Sequence, residues 1–113
     1  MAKEKDCRVC AIRKLNDQLR TTGVGGTILI TRGLKERGDV FVLAAMEAIR
    51  AFDDFSPAND PHAEHDFGRV EVEGEALFWK IDYYDKGMEF GSDDRADPEV
   101  TQRVLTLMFA EEY

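Results

Sequence analysis

The chain has 113 residues, of which 43% are apolar and 34% charged, values typical of one globular domain rather than a disordered chain. It contains no apolar run long enough to cross a membrane, and its charged N-terminus lacks the apolar region of a secretory signal. We therefore expect a single cytoplasmic domain over residues 1–113. The net charge is −8, divided into +4 for residues 1–52 and −12 for residues 53–113. Because nucleic-acid phosphates demand Lys and Arg, this balance argues against direct binding to DNA or RNA.

The first half of the chain predicts a helix, a strand and a second helix. Apolar residues three and four positions apart predict an amphipathic helix over residues 8–21, after a frayed start at residues 1–7. Residues 27–31 are continuously apolar and β-branched without polar alternation, which predicts a central strand buried on both faces. Residues 40–52 are apolar around most of a helical circumference, so we expect a helix deep in the fold.

The second half predicts a long loop, a hairpin and a last helix. Two prolines within residues 53–66 forbid regular structure, so this acidic, histidine-containing segment is expected to be a loop. Alternation over residues 69–73, a Glu-Gly turn and an aromatic run over residues 77–83 predict a β-hairpin. Residues 88–90 offer a short fourth edge strand. A capping aspartate followed by proline predicts the start of a helix over residues 98–111.

The pattern of elements places the protein in the α+β class. The predicted order is α-β-α-β-β-α, with a small, mainly antiparallel three-stranded sheet covered by three helices. The short segment at residues 88–90 is the candidate for a fourth strand at the sheet edge. The sequence shows no internal repeat and no second domain.

Several motifs resemble those of one bacterial family. They are Leu-Asn-Asp at 15–17, Thr-Arg-Gly at 31–33, Phe-Asp-Asp-Phe at 52–55, Asn-Asp-Pro-His at 59–62, Glu-His-Asp-Phe-Gly at 64–68, Trp-Lys-Ile-Asp-Tyr-Tyr-Asp at 79–85, Gly-Ser at 91–92, Ala-Asp-Pro at 96–98, Arg-Val-Leu-Thr at 103–106 and Ala-Glu-Glu-Tyr at 110–113. Together they resemble the family known as domain of unknown function 3768. The resemblance assigns no activity. It implies an accessory role on plasmids and other mobile elements, a setting that favours anti-defence, plasmid maintenance or regulation.

The leading functional hypothesis is a non-enzymatic protein-binding module that needs no cofactor. Its acidic side chains would occupy a basic, nucleic-acid-binding surface of a protein partner, as in an anti-restriction or anti-CRISPR inhibitor. Tyr84, which strand alternation turns away from the core, is the candidate aromatic anchor. The candidate partner-binding carboxylates are Asp53, Asp54, Asp60, Glu64, Asp66, Asp85, Asp93 and Asp94.

Two other functions remain open from the residues. A small metal-dependent hydrolase or nuclease would use His62, His65, Asp66 and Asp82, since imidazole and carboxylate ligands suit zinc, manganese or iron. In a metal-free variant of this idea, His65 would be a general base oriented by Asp66. Alternatively, the polar loop satisfies its own backbone and carries no chemistry. The third function is a small regulator, monomeric or homodimeric, that dimerises by matching its oppositely charged halves.

Cys7 and Cys10 form a Cys-Arg-Val-Cys unit that lies outside the segments of the resemblance. A zinc ribbon needs a second such pair, which the sequence lacks. The open alternatives are two ordinary thiols in a frayed turn, a zinc half-site shared across a dimer, or a redox pair.

Overall fold

The computed structural model describes residues 2–113, with side chains described from residue 8 onward. The elements are α1 (Ala2–Thr22), β1 (Thr27–Ile30), α2 (Arg32–Lys35), α3 (Asp39–Ala51), β2 (Phe67–Val72), β3 (Glu75–Tyr84), β4 (Gln102–Phe109) and a C-terminal 3₁₀ turn (Ala110–Glu112). The helix predicted over residues 8–21 is present but begins at Ala2. Across the described residues, no helix has the length and apolar character needed to cross a membrane.

The four strands form one sheet in the order β1-β4-β3-β2. β1 runs parallel to β4, whereas β4 with β3 and β3 with β2 are antiparallel. The α+β class and the mainly antiparallel sheet are therefore confirmed. The predicted hairpin is also present, because β2 and β3 pair around the Glu73-Gly74 turn.

The helix predicted over residues 98–111 is wrong, because this part of the chain contains β4, an inner strand of the sheet. The capping signal is real but local: the Asp97 carboxylate accepts a hydrogen bond from the Glu99 N–H at 2.9 Å and closes only a turn. In β4 the side chains of Val104, Leu105, Leu107 and Met108 are all buried, although successive residues point to opposite faces. Hydrogen bonding on both edges, to β1 and to β3, selects a strand for this apolar run.

The strand predicted to be central is instead an edge strand. Among the residues that the structure describes, β1 pairs only with β4, and the Leu29 side chain is 51% exposed. The prediction that both faces of β1 are buried is therefore wrong. The apolar composition that suggested a central strand at β1 belongs equally to β4, which occupies that place. The fourth strand was also misplaced: residues 86–90 form a turn, and only an isolated bridge joins Tyr84 to Gly91.

The core lies on one face of the sheet. Leu77, Trp79 and Ile81 of β3 share that face with Leu105 and Leu107 of β4. All three helices contribute buried residues to the same cluster: Leu19 from α1, Leu34 from α2, and Phe41, Ala45 and Ile49 from α3. The alternate face of β3 carries polar side chains, including an ion pair between Lys80 and Asp82 at 2.9 Å. The helices therefore cover one face, as the prediction of a layered α+β fold requires.

Strand direction brings two loops to the same end of the sheet. The loop of residues 53–66 leads into β2, and the loop of residues 85–101 joins β3 to β4. Tyr84 is opposite Gln102, and Phe67 is opposite Lys80, so the start of β2, the end of β3 and the start of β4 lie together. We refer to residues 53–66 and 85–101 as the acidic end.

Candidate functional site

The acidic end concentrates the negative charge of the protein. Its two loops carry eleven Asp and Glu residues but only two Lys and Arg residues, a net charge of −9. The remainder of the chain has a net charge of +1, since the whole chain carries −8. The acidic end therefore carries more negative charge than the whole chain does on balance.

A buried hydrogen-bond network joins both loops to α1 and to the sheet. Asn16 of α1 is fully buried, and its Nδ2 donates to the Glu64 carbonyl at 2.9 Å and to the Tyr83 hydroxyl at 2.8 Å. Its Oδ1 accepts from Nε of Arg103 at 2.8 Å. Arg103 also donates to the main-chain carbonyl of Arg95. One asparagine therefore links the loop before β2, the end of β3 and the start of β4.

The charged members of the network are shielded from water. Arg103 is almost completely buried, and this burial lowers the pKa of its guanidinium. The buried carboxylate of Glu64 accepts from Arg95 at 2.8 Å, which pairs its charge. Burial, followed by the nearby charge of Glu64, raises the pKa of Asp66. Burial also raises the pKa of Tyr83, so its hydroxyl is a neutral donor to Asp66 at 3.3 Å near neutral pH.

His65 forms a second contact between α1 and the loop of residues 53–66, in addition to that of Asn16. Its ring stacks on Phe55 with 3.6 Å between ring centroids and an interplanar angle of 5°. Nδ1 lies 2.9 Å from Asp17 Oδ1, and Nε2 lies 3.6 Å from Asp60 Oδ2. The structure thus pairs His65 with Asp17 and Asp60, whereas Asp66, its expected partner as a general base, contacts Tyr83 instead.

The predicted partner-binding carboxylates divide into exposed and internal groups. Asp53, Asp54 and Asp93 are exposed, and their carboxylates make no hydrogen bond or ion pair within the described part of the chain. Asp60 and Glu64 are buried, and their carboxylates contact His65 and Arg95 respectively. A partner can therefore reach the exposed group without rearranging the fold.

The other predicted residues have local roles at the surface. Asp94 forms an ion pair with Arg8 at 3.2 Å, which ties the second loop to α1. Asp85 accepts hydrogen bonds from the N–H groups of Glu89 and Phe90 and closes the turn after β3. Tyr84 is half-buried, so only part of its ring is available as a contact surface.

The four predicted metal ligands are not assembled into one site. His62 is exposed and lines an open pocket of about 550 Å³ with Cys10 and Arg13, whose Nη2 lies 3.1 Å from the thiol sulfur. Asp82 is paired with Lys80 on the sheet. Among the side chains that the structure describes, no three His, Cys, Asp or Glu residues come together to hold a metal ion. The Cys7 side chain lies outside the described set, so the three alternatives for Cys7 and Cys10 stay open.

Comparison with known proteins gives one match. The family model described as "Protein of unknown function (DUF3768)" matches residues 30–112, from the end of β1 to the C-terminal 3₁₀ turn. The predicted family resemblance is therefore confirmed. Neither the curated proteins nor the solved structures that were searched gave a match.

Proposed function

Since the chain belongs to the DUF3768 family of proteins of unknown function, we propose a role from the site itself: a non-enzymatic module whose acidic end binds a basic surface of another protein. The observation that carries this proposal is the net charge of −9 in two loops at one end of the sheet. A concentrated field of this kind accelerates encounter with an oppositely charged partner and suppresses binding to acidic surfaces.

The hydrogen-bond network supports the proposal because it orders the acidic end before a partner arrives. Asn16 and Arg103 hold the main chain of both loops through a buried and a part-buried hydrogen bond respectively. Ordering a flexible loop costs free energy on binding, and a loop already held in place avoids part of that cost. The exposed carboxylates of Asp53, Asp54 and Asp93 are therefore attached to a structured surface rather than to a flexible tail.

The chemistry of the site favours one class of partner. A channel that binds nucleic acid is lined by Lys and Arg, and a rigid acidic surface can occupy it in place of phosphates. The accessory, mobile-element setting implied by the family resemblance agrees with a host restriction or CRISPR effector as that partner. The role would then be anti-defence inhibition by occupation of the channel, with no reaction catalysed.

The experiment is capture of bacterial lysate proteins on the immobilised chain, followed by affinity measurements on the captured complex. The test variant reverses Asp53, Asp54 and Asp93 to Lys. The control variant reverses three carboxylates outside the acidic end, Glu36, Glu47 and Glu111, all of which are exposed, so that both variants change the net charge equally.

We expect the test variant to bind roughly tenfold or more weakly at low salt, and the control to bind like the natural chain. Binding of the natural chain should weaken as NaCl rises from about 0.05 M to about 0.5 M. Addition of duplex DNA should displace the protein from the complex, because both would occupy the same channel. Affinity that survives the triple reversal and shows no salt dependence would refute the proposal.

A further inference from the structure

β2 is an edge strand whose outer side has unpaired backbone groups. The Ile81 N–H donates to the Asp66 carbonyl at 2.8 Å, so these two residues form a hydrogen-bonded pair. Because such pairs alternate along antiparallel strands, Gly68 and Val70 direct their N–H and C=O groups toward β3. The N–H and C=O groups of Phe67, Arg69 and Glu71 therefore point away from β3. Within the part of the chain that the structure describes, no strand pairs with this outer side.

The outward-directed residues also carry complementary charges. The side chains of Arg69 and Glu71 are 54% and 61% exposed, and they lie on the same face because they are two positions apart. Arg69 Nη2 is 3.2 Å from Glu71 Oε2. Exposed pairs of this kind are weak and rearrange readily, so both side chains can contact charges on a neighbouring strand.

We infer that the outer side of β2 pairs with β2 of a second copy of this chain, antiparallel, with Val70 opposite the partner's Val70. In this register Arg69 lies opposite the partner's Glu71, and Glu71 lies opposite the partner's Arg69. Directly opposite residues of opposite charge stabilise antiparallel strands, and here the twofold symmetry forms that pair twice.

Charge also excludes the neighbouring registers. The residues whose backbone groups point outward must lie opposite one another, so one strand can slide along the other only by two residues at a time. The nearest shift in one direction places Arg69 opposite the partner's Arg69. The nearest shift in the other places Glu71 opposite the partner's Glu71. Like charges directly opposite are unfavourable. The second shift would also bring Arg69 opposite the partner's Glu73, but Glu73 lies in the hairpin turn with φ 52° and is not part of β2. Charge therefore favours the register with Val70 opposite the partner's Val70.

The antiparallel arrangement separates the two acidic ends. Each β2 begins at the acidic end and finishes at the hairpin turn, so the acidic ends point in opposite directions along the joint sheet. Six residues of strand extend roughly 20 Å, which exceeds the Debye length of about 8 Å at physiological salt. β2 carries none of the carboxylates of the acidic end, so substitutions at Arg69 and Glu71 leave the charge of the acidic end unchanged.

The test is a charge swap measured by light scattering and sedimentation from about 10 µM to about 1 mM protein. We expect the natural chain to dimerise in this range. Arg69→Glu alone or Glu71→Arg alone should raise the dissociation constant roughly tenfold or more, since either change opposes like charges twice. The double variant Arg69→Glu, Glu71→Arg should restore the dimer. The matched controls, Arg32→Glu on α2 and Glu36→Arg at its C-cap, should leave the mass unchanged.

Amide hydrogen exchange confirms that each variant is folded and reports the interface residue by residue. In the dimer the amides of Arg69 and Glu71 should be protected, whereas in the single variants they should exchange rapidly while Gly68 and Val70 stay protected. A natural chain that stays monomeric at about 1 mM would overturn the inference. The inference also fails if a single reversal leaves the dimer intact or if the double variant does not restore it.

Discussion

Asn16→Ala tests whether the buried network holds the acidic end together. The asparagine side chain makes three hydrogen bonds of 2.8 to 2.9 Å, to the Glu64 carbonyl, the Tyr83 hydroxyl and Nε of Arg103. Alanine makes none of them. Asn16 is fully buried, so water cannot reach the abandoned partners without opening the fold.

The expected loss follows from those abandoned partners. A buried polar group left without a partner costs about 1–3 kcal/mol, and a charged group such as the Arg103 guanidinium costs more. The Tyr83 hydroxyl keeps its bond to Asp66, so the carbonyl and the guanidinium carry most of the loss. We expect the free energy of unfolding to fall by about 3–5 kcal/mol. A domain of this length is stable by only about 6–17 kcal/mol, so the effect is large.

Urea denaturation followed by circular dichroism measures this loss of unfolding free energy. We expect a lower midpoint urea concentration and an unchanged dependence of the free energy on urea concentration. Gln18→Ala is the matched control, because it removes an exposed amide from the same helix. We expect the control to lie within about 0.5 kcal/mol of the natural chain. If Asn16→Ala lost less than about 1 kcal/mol, the network would not stabilise the acidic end and our reasoning about its order would be wrong.

Two further substitutions test the surroundings of the network and of the core. Burial and the charge of Glu64 raise the pKa of Asp66, so its ionised form is disfavoured in the folded protein. Asp66→Asn should therefore raise the free energy of unfolding at pH 7, and this gain should disappear as the pH falls below 3.8, where the aspartate is protonated in the folded and unfolded states alike. Urea denaturation at pH 7 and at a pH below 3.8 checks this, and an equal effect at the two pH values would contradict it. Gly68→Ala should cost about 1–3 kcal/mol in thermal unfolding, because the added Cβ would lie 2.7 Å from Cε2 of the buried Trp79 ring. Gly87→Ala, whose Cβ would meet nothing nearer than 3.7 Å, should be nearly neutral, and equal losses at the two glycines would argue against crowding at the indole.

An element whose apolar residues recur with a clear period was predictable from the sequence. The alternation that predicted β2 appears in the structure, where exposed Arg69 and Glu71 alternate with buried Val70 and Val72. In such a segment the local pattern and the final environment agree, because one face of the element is buried and the other is not. The apolar circumference of α3, in contrast, predicted a helix deep in the fold, and this prediction is wrong: Phe41, Ala45 and Ile49 are buried, but Val40 and Leu43 are 80% and 62% exposed.

The strand β4 could not be assigned from its own residues. A run such as Val104 to Phe109 is apolar without a period, and a buried strand and a buried helix satisfy it equally well. The decision depends on long-range pairing, with β1 on one side and β3 on the other. The turn at Asp97 strengthened the wrong assignment, since an Asx turn and a helix N-cap use the same hydrogen bond.

The network was missed for a related reason. Asn16 and Arg103 are 87 residues apart, and each looks like a polar surface residue in isolation. A signal was nevertheless present: Asn16 lies between Ile12 and Leu19 on the apolar stripe of α1, and all three are buried. A polar residue on an apolar stripe needs an internal partner, although the sequence does not say which one.

The buried arginines explain how so many carboxylates can gather at one end of a stable domain. Arg20 donates to the carbonyls of Ile49 and Phe52 at the end of α3, and Arg103 donates to a carbonyl of the second loop. Both guanidinium groups contact the main chain in or next to the acidic loops, so their charge offsets part of the repulsion among the nearby carboxylates. Their donors are used on main-chain carbonyls and on the side chains of Asp17 and Asn16, however, and not on the carboxylates of Asp53 or Asp54. The loops are therefore held by their backbone while those surface charges stay accessible, the combination that binding to a basic partner requires.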